Sequence, residues 1–259
     1  SANAVALIGR KVATGSRISD VFGQELHHSI ANALARSGDT GRPALLLAQE
    51  VGENTFDVAV PANQNFVILE LEPASAGAAG EAEPLGRARS LISRTRALKS
   101  VDEAARMVPR FLKATLGYDR VMLYRFAQDG SGEVIGEART PGLESFLGQH
   151  FPAADIPQQA RALYIRNTIR VISDSAGSRS LILPEQREIA VPLDLSLAHL
   201  RSVSPIHLEY LRNMGVGASM SISIIIDDRL WGMIACHHYA PRILSMAQRV
   251  AAEMFGEFL

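Results

Sequence analysis

Two apolar runs of strand length, Ser219 to Ile226 and Leu230 to His237, flank the pair Asp227-Asp228. Runs separated by so short a polar break predict a β-hairpin. A hairpin commits the chain around it to an antiparallel sheet. Side chains alternate faces along a strand. Ser219, Ser221 and Ser223 therefore share one face of the first strand, and Met220, Ile222 and Ile224 share the other. Three hydroxyls in a row read either as a polar ligand surface or as a solvated face. Antiparallel sheets are often wet on one side, which favours the second reading.

The rest of the chain reads as two mixed domains. The sharpest composition shift is Pro73 to Glu83, PASAGAAGEAE, which is poor in large apolar residues and reads as a linker over 74–83. Before it, over 1–73, Val21–Ala35 is predicted helical, and Phe56–Val60 and Asn65–Glu72 are predicted strands. This first region begins abruptly, with an opening strand expected upstream of Ser1. After the linker, over 84–259, Leu85–Leu98 and Val101–Leu116 read as helices, the second stopped by Gly117. Arg120–Phe126 and Gly132–Ala138 read as paired strands. Pro157–Arg166 is a helix with proline in its first turn. Another opens with Ser204 as N-cap and Pro205 at the first helical position, and ends at Gly215. Ile243–Leu259 is the final helix. The fold class is α+β, each domain an antiparallel sheet with flanking helices.

Composition narrows the functional classes. The chain has 259 residues, 47% hydrophobic and 20% charged, as a globular protein with a real core has. A formal net charge of −1 argues against a nucleic-acid surface. No apolar run is long enough to span a membrane, and no basic-then-apolar start marks a signal peptide. One cysteine, Cys236, allows no internal disulfide and fits a reducing cytoplasm.

Several residues are of types that carry chemistry. His207 and Tyr210 lie three apart on one helix face, continued by Leu211 and Met214. The face reads as a core stripe whose two polar tips need partners if buried. Asp155 precedes a helix start, where a carboxylate suits the dipole and can be a simple cap. Ala160, Leu163 and Tyr164 make the inward face of that helix. Arg170 and Arg201 stand among apolar residues, as surface arginines with buried stems or as carboxylate clamps. Cys236-His237-His238 lacks the spacing of a structural zinc site, and neighbours on a strand point to opposite faces. No nucleotide-binding glycine loop and no nucleophile elbow is present.

Three segments, in order and spacing, resemble the bacterial phytochromes. They are Phe151-Pro152-Ala153-Ala154-Asp155-Ile156-Pro157, Arg201 to Leu211 (RSVSPIHLEYL) and Leu230 to His238 (LWGMIACHH). The resemblance runs from about Leu85 to Leu259 as a bilin-binding GAF domain, with a weaker PAS-like likeness over Ser1 to Glu72. It implies a red/far-red photoreceptor module holding a linear tetrapyrrole. A long, flat, mostly apolar pigment needs an aromatic and aliphatic slot, groups for two propionates, and partners for its pyrrole nitrogens. By resemblance, Arg170 and Arg201 hold the propionates beside Ser219 and Ser221, which reverses the solvated-face reading. Asp155 and His207 flank the pyrrole nitrogens, with Ile156, Pro157, Ser204 and Ile206 in the same segments. Tyr124, Phe151, Tyr164 and Tyr210 line the D-ring, and His237 hydrogen-bonds its carbonyl. Isomerisation at the C–D bridge then rotates the D-ring and switches an output through a following PHY domain, often into a histidine kinase.

The attachment site departs from one branch of the family. Ile206 occupies the place where plant-type members carry the pigment-bearing cysteine, so biliverdin is the expected pigment. Its cysteine is expected upstream, outside this chain, unless the pigment is held non-covalently, and Cys236 reads as packing. The chain itself is expected to be no enzyme. Ile243, Met246, Val250, Met254 and Phe258 form an apolar stripe on the last helix, suited to internal packing or to a parallel homodimer, of which the homodimer is expected. Three other readings are a GAF-type sensor of a small effector, an enzyme with Asp155 and His207 as acid and base, and a pigment-free dimerisation module.

Overall fold

The computed structural model describes residues 1–10, 12–37, 42–61, 63, 65–74, 78–183 and 191–259, with backbone alone for 36, 37 and 78–85. The chain forms two compact units, Ser1–Ala76 with Ser178–Ser202, and Gly77–Gly177 with Val203–Leu259. The expected second domain, 84–259, is thus divided between them. Both units combine antiparallel strands with helices, as the α+β expectation required.

The first unit contains helices α1 (Ala4–Ile8) and α2 (Ile18–Ser37) and strands β1 (Ala44–Val51), β2 (Asn54–Val60) and β3 (Glu70–Pro73). The sheet order is β1-β2-β3. Leu26 and Ile30 of α2 pack on Val51, Phe56, Val58 and Val60. The strand expected at Asn65–Glu72 is shorter, because Phe66–Leu69 lies outside the sheet. The cause is local. The Asn63 side-chain carbonyl accepts from the backbone N–H groups of Asn65 and Phe66, making a turn there. Pairing with β2 starts only at Glu70, opposite Ala59. The buried Glu70 carboxylate accepts from the backbone N–H groups of His199 and Leu200 at 2.9 and 2.5 Å. That bond ties the 178–202 segment to this unit.

The second unit contains α3 (Ala78–Thr95), α4 (Val101–Leu116), β4 (Arg120–Phe126), β5 (Gly132–Arg139), β6 (His150–Phe151), α5 (Gln158–Arg166), β7 (Ile169–Ile172), α6 (Pro205–Asn213), β8 (Ala218–Ile226), β9 (Arg229–His238) and α7 (Met246–Phe258). A single 3₁₀ turn, Ala153–Asp155, precedes α5. The stretch read as a linker is helical from Ala78. Alanine and glutamate favour helix even without large apolar neighbours. The final helix starts at Met246 rather than Ile243, because Ser245 and Gln248 form a reciprocal capping box. Ile243 and Met254 are exposed, whereas Met246, Ala251, Ala252 and Phe255 are buried. The buried face therefore only partly overlaps the stripe expected from the sequence, sharing Met246 with it.

The six-stranded sheet runs β6-β5-β4-β9-β8-β7, every neighbour antiparallel. Its hairpin turn is Asp227-Asp228, both with positive φ, a turn that aspartate tolerates. One face carries Val121, Leu123, Met220, Ile222, Ile234 and Cys236, packed with Val108, Leu112 and Phe255. Gly136 permits this closeness, because a Cβ there would enter the space of the Ala105 carbonyl of α4. Among the described residues no helix is long and apolar enough to cross a membrane.

Candidate functional site

The opposite face of the same sheet follows from register. Arg120, Met122 and Tyr124 of β4 stand across from His237, Ala235 and Met233 of β9. Those stand across from Ser219, Ser221 and Ser223 of β8. Ser219 and Ser221 in turn face Ile172 and Arg170 of β7. Cys236 lies on the helical side with the core, and its burial pushes the thiol up and out of the reactive range.

The serine row is covered rather than solvated. Ser219 and Ser223 are buried, and the Ser223 hydroxyl donates to the backbone carbonyl of Tyr164 at 2.7 Å. That bond seats α5 over the sheet. Tyr164 is buried with Met122, Tyr124, Val134 and Met233, and Phe151 and Ile156 pack against the same group. The Tyr124 and Phe151 rings lie 5.9 Å apart. Gly132 is β5's partner to Phe151, and a Cβ there would overlap the Tyr124 ring. Tyr124 needs this glycine to lie where it does.

A second device fixes the turn that carries Asp155. Arg161 Nε donates to the Ile156 carbonyl at 2.8 Å, and its guanidinium lies over the Phe126 ring at 4.4 Å. Pro157 holds the N-cap position of α5, just before the helix, and Asp155 itself is exposed at the end of the 3₁₀ turn. The Asp155 charge reaches both Tyr124 and Tyr210. Burial first, and that charge second, push the Tyr124 hydroxyl up to about 12 and raise Tyr210 as well.

On α6, the His207 and Tyr210 rings stack 6.1 Å apart, nearly parallel. Burial, then the Arg170 charge, holds His207 below the usual imidazole range. Burial, then Arg120 and His207, takes His237 down to about 4. These mutual influences bring Asp155, Tyr124, Tyr210, His207, Arg170 and His237 into one neighbourhood. Leu211 is buried against Ile172, so α6 rests on the β7 end of the face. Ile206 is 79% exposed, and Ser204 sits at the N-cap without its expected side-chain capping bond.

Among the described residues, Arg120 Nε, Arg170 Nε and His237 Nδ1 on this face are buried and unpartnered. The Arg170 guanidinium carbon lies 5.2 Å from the Tyr164 ring centre. Arg201 belongs to the first unit, where Nη1 donates to the Ala198 carbonyl at 2.6 Å. Arg120, Met122 and Met233 share the face without having been singled out. Counting parity along β4 and β9 would have found them, since Arg120 and Tyr124 are both even-numbered positions of one strand.

Comparison with known proteins follows the same lines. A family model for the GAF domain matches residues 100–259, and one for a PAS fold matches 1–74. A bacteriophytochrome of Pseudomonas aeruginosa is 38% identical over 99% of this chain and 35% of that protein. The chromophore-binding domain of a bacteriophytochrome from R. palustris superposes with a TM-score of 0.87 at 37% identity, over 100% of this chain and 85% of that one. That of Stigmatella aurantiaca phytochrome P1 gives 0.86 at 36%, over 99% and 86%. The chain spans about a third of the Pseudomonas aeruginosa protein.

Proposed function

We propose that this chain, which belongs to the bacteriophytochromes as their PAS–GAF region, holds a linear tetrapyrrole on the second sheet, between the serine row and helices α5 and α6. Its photoreceptor module would switch the further domains of a longer parent protein, a histidine kinase among them. The observation that carries the reading is that one covered sheet face brings together cationic and hydroxylic groups, Arg170, Ser219 and Ser221, and an aromatic cluster, Tyr124, Phe151 and Tyr164, with Arg170 5.2 Å from the Tyr164 ring.

The residues fit such a group. The buried, unpartnered Arg170 Nε and His237 Nδ1 call for polar partners. A ligand with carboxylates at one edge and a carbonyl at one end would supply both. Arg170 would bind a propionate, and Ser219 and Ser221 would donate to it. His207 and Asp155 would face the pyrrole nitrogens, Asp155 as an acceptor. Neutral His237 would hydrogen-bond a terminal carbonyl. Tyr124 and Tyr210 stay protonated and remain hydroxyl donors throughout the physiological range. When bound, the pigment supplies light absorption and isomerisation about a methine bridge. Ile206 stands where plant-type phytochromes attach their pigment, and Cys236 faces the core. Biliverdin is accordingly the pigment proposed, with no covalent link to a cysteine of this chain.

Asp155→Ala and His207→Ala test the reading. Both variants should take up biliverdin and show a red-absorbing band. Both should photoconvert poorly under alternating red and far-red light. Wild-type cycling in the two variants would remove these residues from the site.

A further inference from the structure

Arg120 has no part in the pigment contacts above, yet among the described residues it is the largest wholly buried side chain, 1% exposed. Its Nη1 donates to Glu137 Oε1 at 2.5 Å and its Nη2 to the Glu144 carbonyl at 2.6 Å. Its guanidinium carbon lies 3.8 Å over the Phe146 ring. Glu137 also accepts from the Ser145 hydroxyl at 2.6 Å and the Phe146 N–H at 3.1 Å, with Arg139 Nε at 3.5 Å. The pair therefore ties the Glu144–Phe146 loop to the sheet. An ion pair is an expensive way to do this, because desolvation offsets much of the attraction and an apolar pair is often as stable.

The address of the pair explains its charge. Arg120 is the direct register partner of His237 across β4 and β9, on the same face. Arg120 Nε and His237 Nδ1 are both buried without a partner. Around the imidazole stand Arg120 from β4, Ser219 from β8 and His207 from α6, with Glu137 and Arg139 behind Arg120 on β5. The one carboxylate in this set is already engaged by Arg120.

We propose that the Arg120–Glu137 pair is a positioning device for His237, presenting its imidazole to the pigment site as a neutral ring with one donor and one acceptor. The proposal rests on the bilin reading for its purpose. A permanent guanidinium beside a buried imidazole disfavours a second cation there. Glu137 in turn keeps Arg120 from being an uncompensated buried charge. The low titration of His237, attributed to burial and then to Arg120, agrees with this arrangement.

The test uses the full chain without pigment. Histidine side-chain NMR follows each imidazole through pH in the wild type, in Arg120→Lys, and in Arg120→Met/Glu137→Leu, which removes both charges and leaves no unpaired ion. The wild type should hold His237 neutral well below the midpoint of an exposed histidine, Arg120→Lys should keep that behaviour, and the double variant should shift the midpoint upward. A wild-type His237 that titrates like an exposed histidine overturns the proposal, whatever the variants do. So does a folded double variant with an unmoved midpoint. Biliverdin is then added to the wild type. Absence of a red band there counts against the pigment reading alone, since the apoprotein titration does not depend on it.

Discussion

Arg170 on β7 stands directly across from Ser221 on β8, so a guanidinium and a hydroxyl share one rung of the covered sheet face. Charge-assisted hydrogen bonds to a carboxylate contribute about 1.5–3 kcal/mol. Arg170→Ala should therefore weaken biliverdin binding by about tenfold or more, measured by absorption titration of the apoprotein. Ser221→Ala should cost less, since it removes one neutral donor. Equal affinities for wild type and Arg170→Ala would dismiss the clamp.

His237 makes the protein less stable in acid. Its folded-state value of about 4 lies below the ordinary imidazole value of 6.5. Between these pH values the unfolded chain binds the extra proton and the folded chain does not, so stability rises with pH through the window. The penalty is absent above pH 6.5, grows as pH falls, and levels off below pH 4 at a few kcal/mol. Urea midpoints from pH 4 to 7 should show this slope, and His237→Gln should flatten it. An unchanged slope in the variant would assign the acid sensitivity elsewhere.

Gly136→Ala tests the packing of α4 on the sheet. The added methyl meets the backbone of Ala105, which cannot rotate away as a side chain could. Overpacking of this kind costs about 1–3 kcal/mol. The expected result is a lower urea midpoint with little change in the slope of the transition. A midpoint equal to wild type would mean that the helix shifts freely.

Cys236 should be chemically silent in the folded protein. It is fully buried on the helical side of β9, and desolvation disfavours the thiolate. A thiol reagent should find no reactive group in native buffer and one in denaturant. Zinc-induced fluorescence on a denaturing gel should show no pigment bound to this chain. A pigmented band there would place the linkage on Cys236 and contradict the sidedness of the strand.

The elements with strong local signals were legible in the sequence. Val101–Leu116 and Arg120–Phe126 have the expected limits, because Gly117 stops the helix and the unbroken apolar run Val121–Tyr124 marks the strand. The hairpin was legible through Asp227-Asp228. Strands β1 and β7 were not read, since Ala44–Val51 lacks clean alternation and Ile169–Ile172 has only four residues. The missing β7 matters for the site, because it is what sets Arg170 opposite Ser221. The serine row shows the limit of periodicity. Alternation placed three hydroxyls on one side, but only the α5 contact from Tyr164 makes that side covered. Arg201 joined the site only through the resemblance, not through any local pattern; contacts group it with the first unit, where its Nη1 donates to the Ala198 carbonyl at 2.6 Å.

Equilibrium titration of the purified apoprotein with biliverdin in darkness tests the central claim most directly. The account expects a saturable red-absorbing band at one pigment per chain, changing under red light and diminished in Arg170→Ala. Biliverdin that leaves its free-solution spectrum unchanged, or that binds without saturation, would contradict a pigment site on this sheet face.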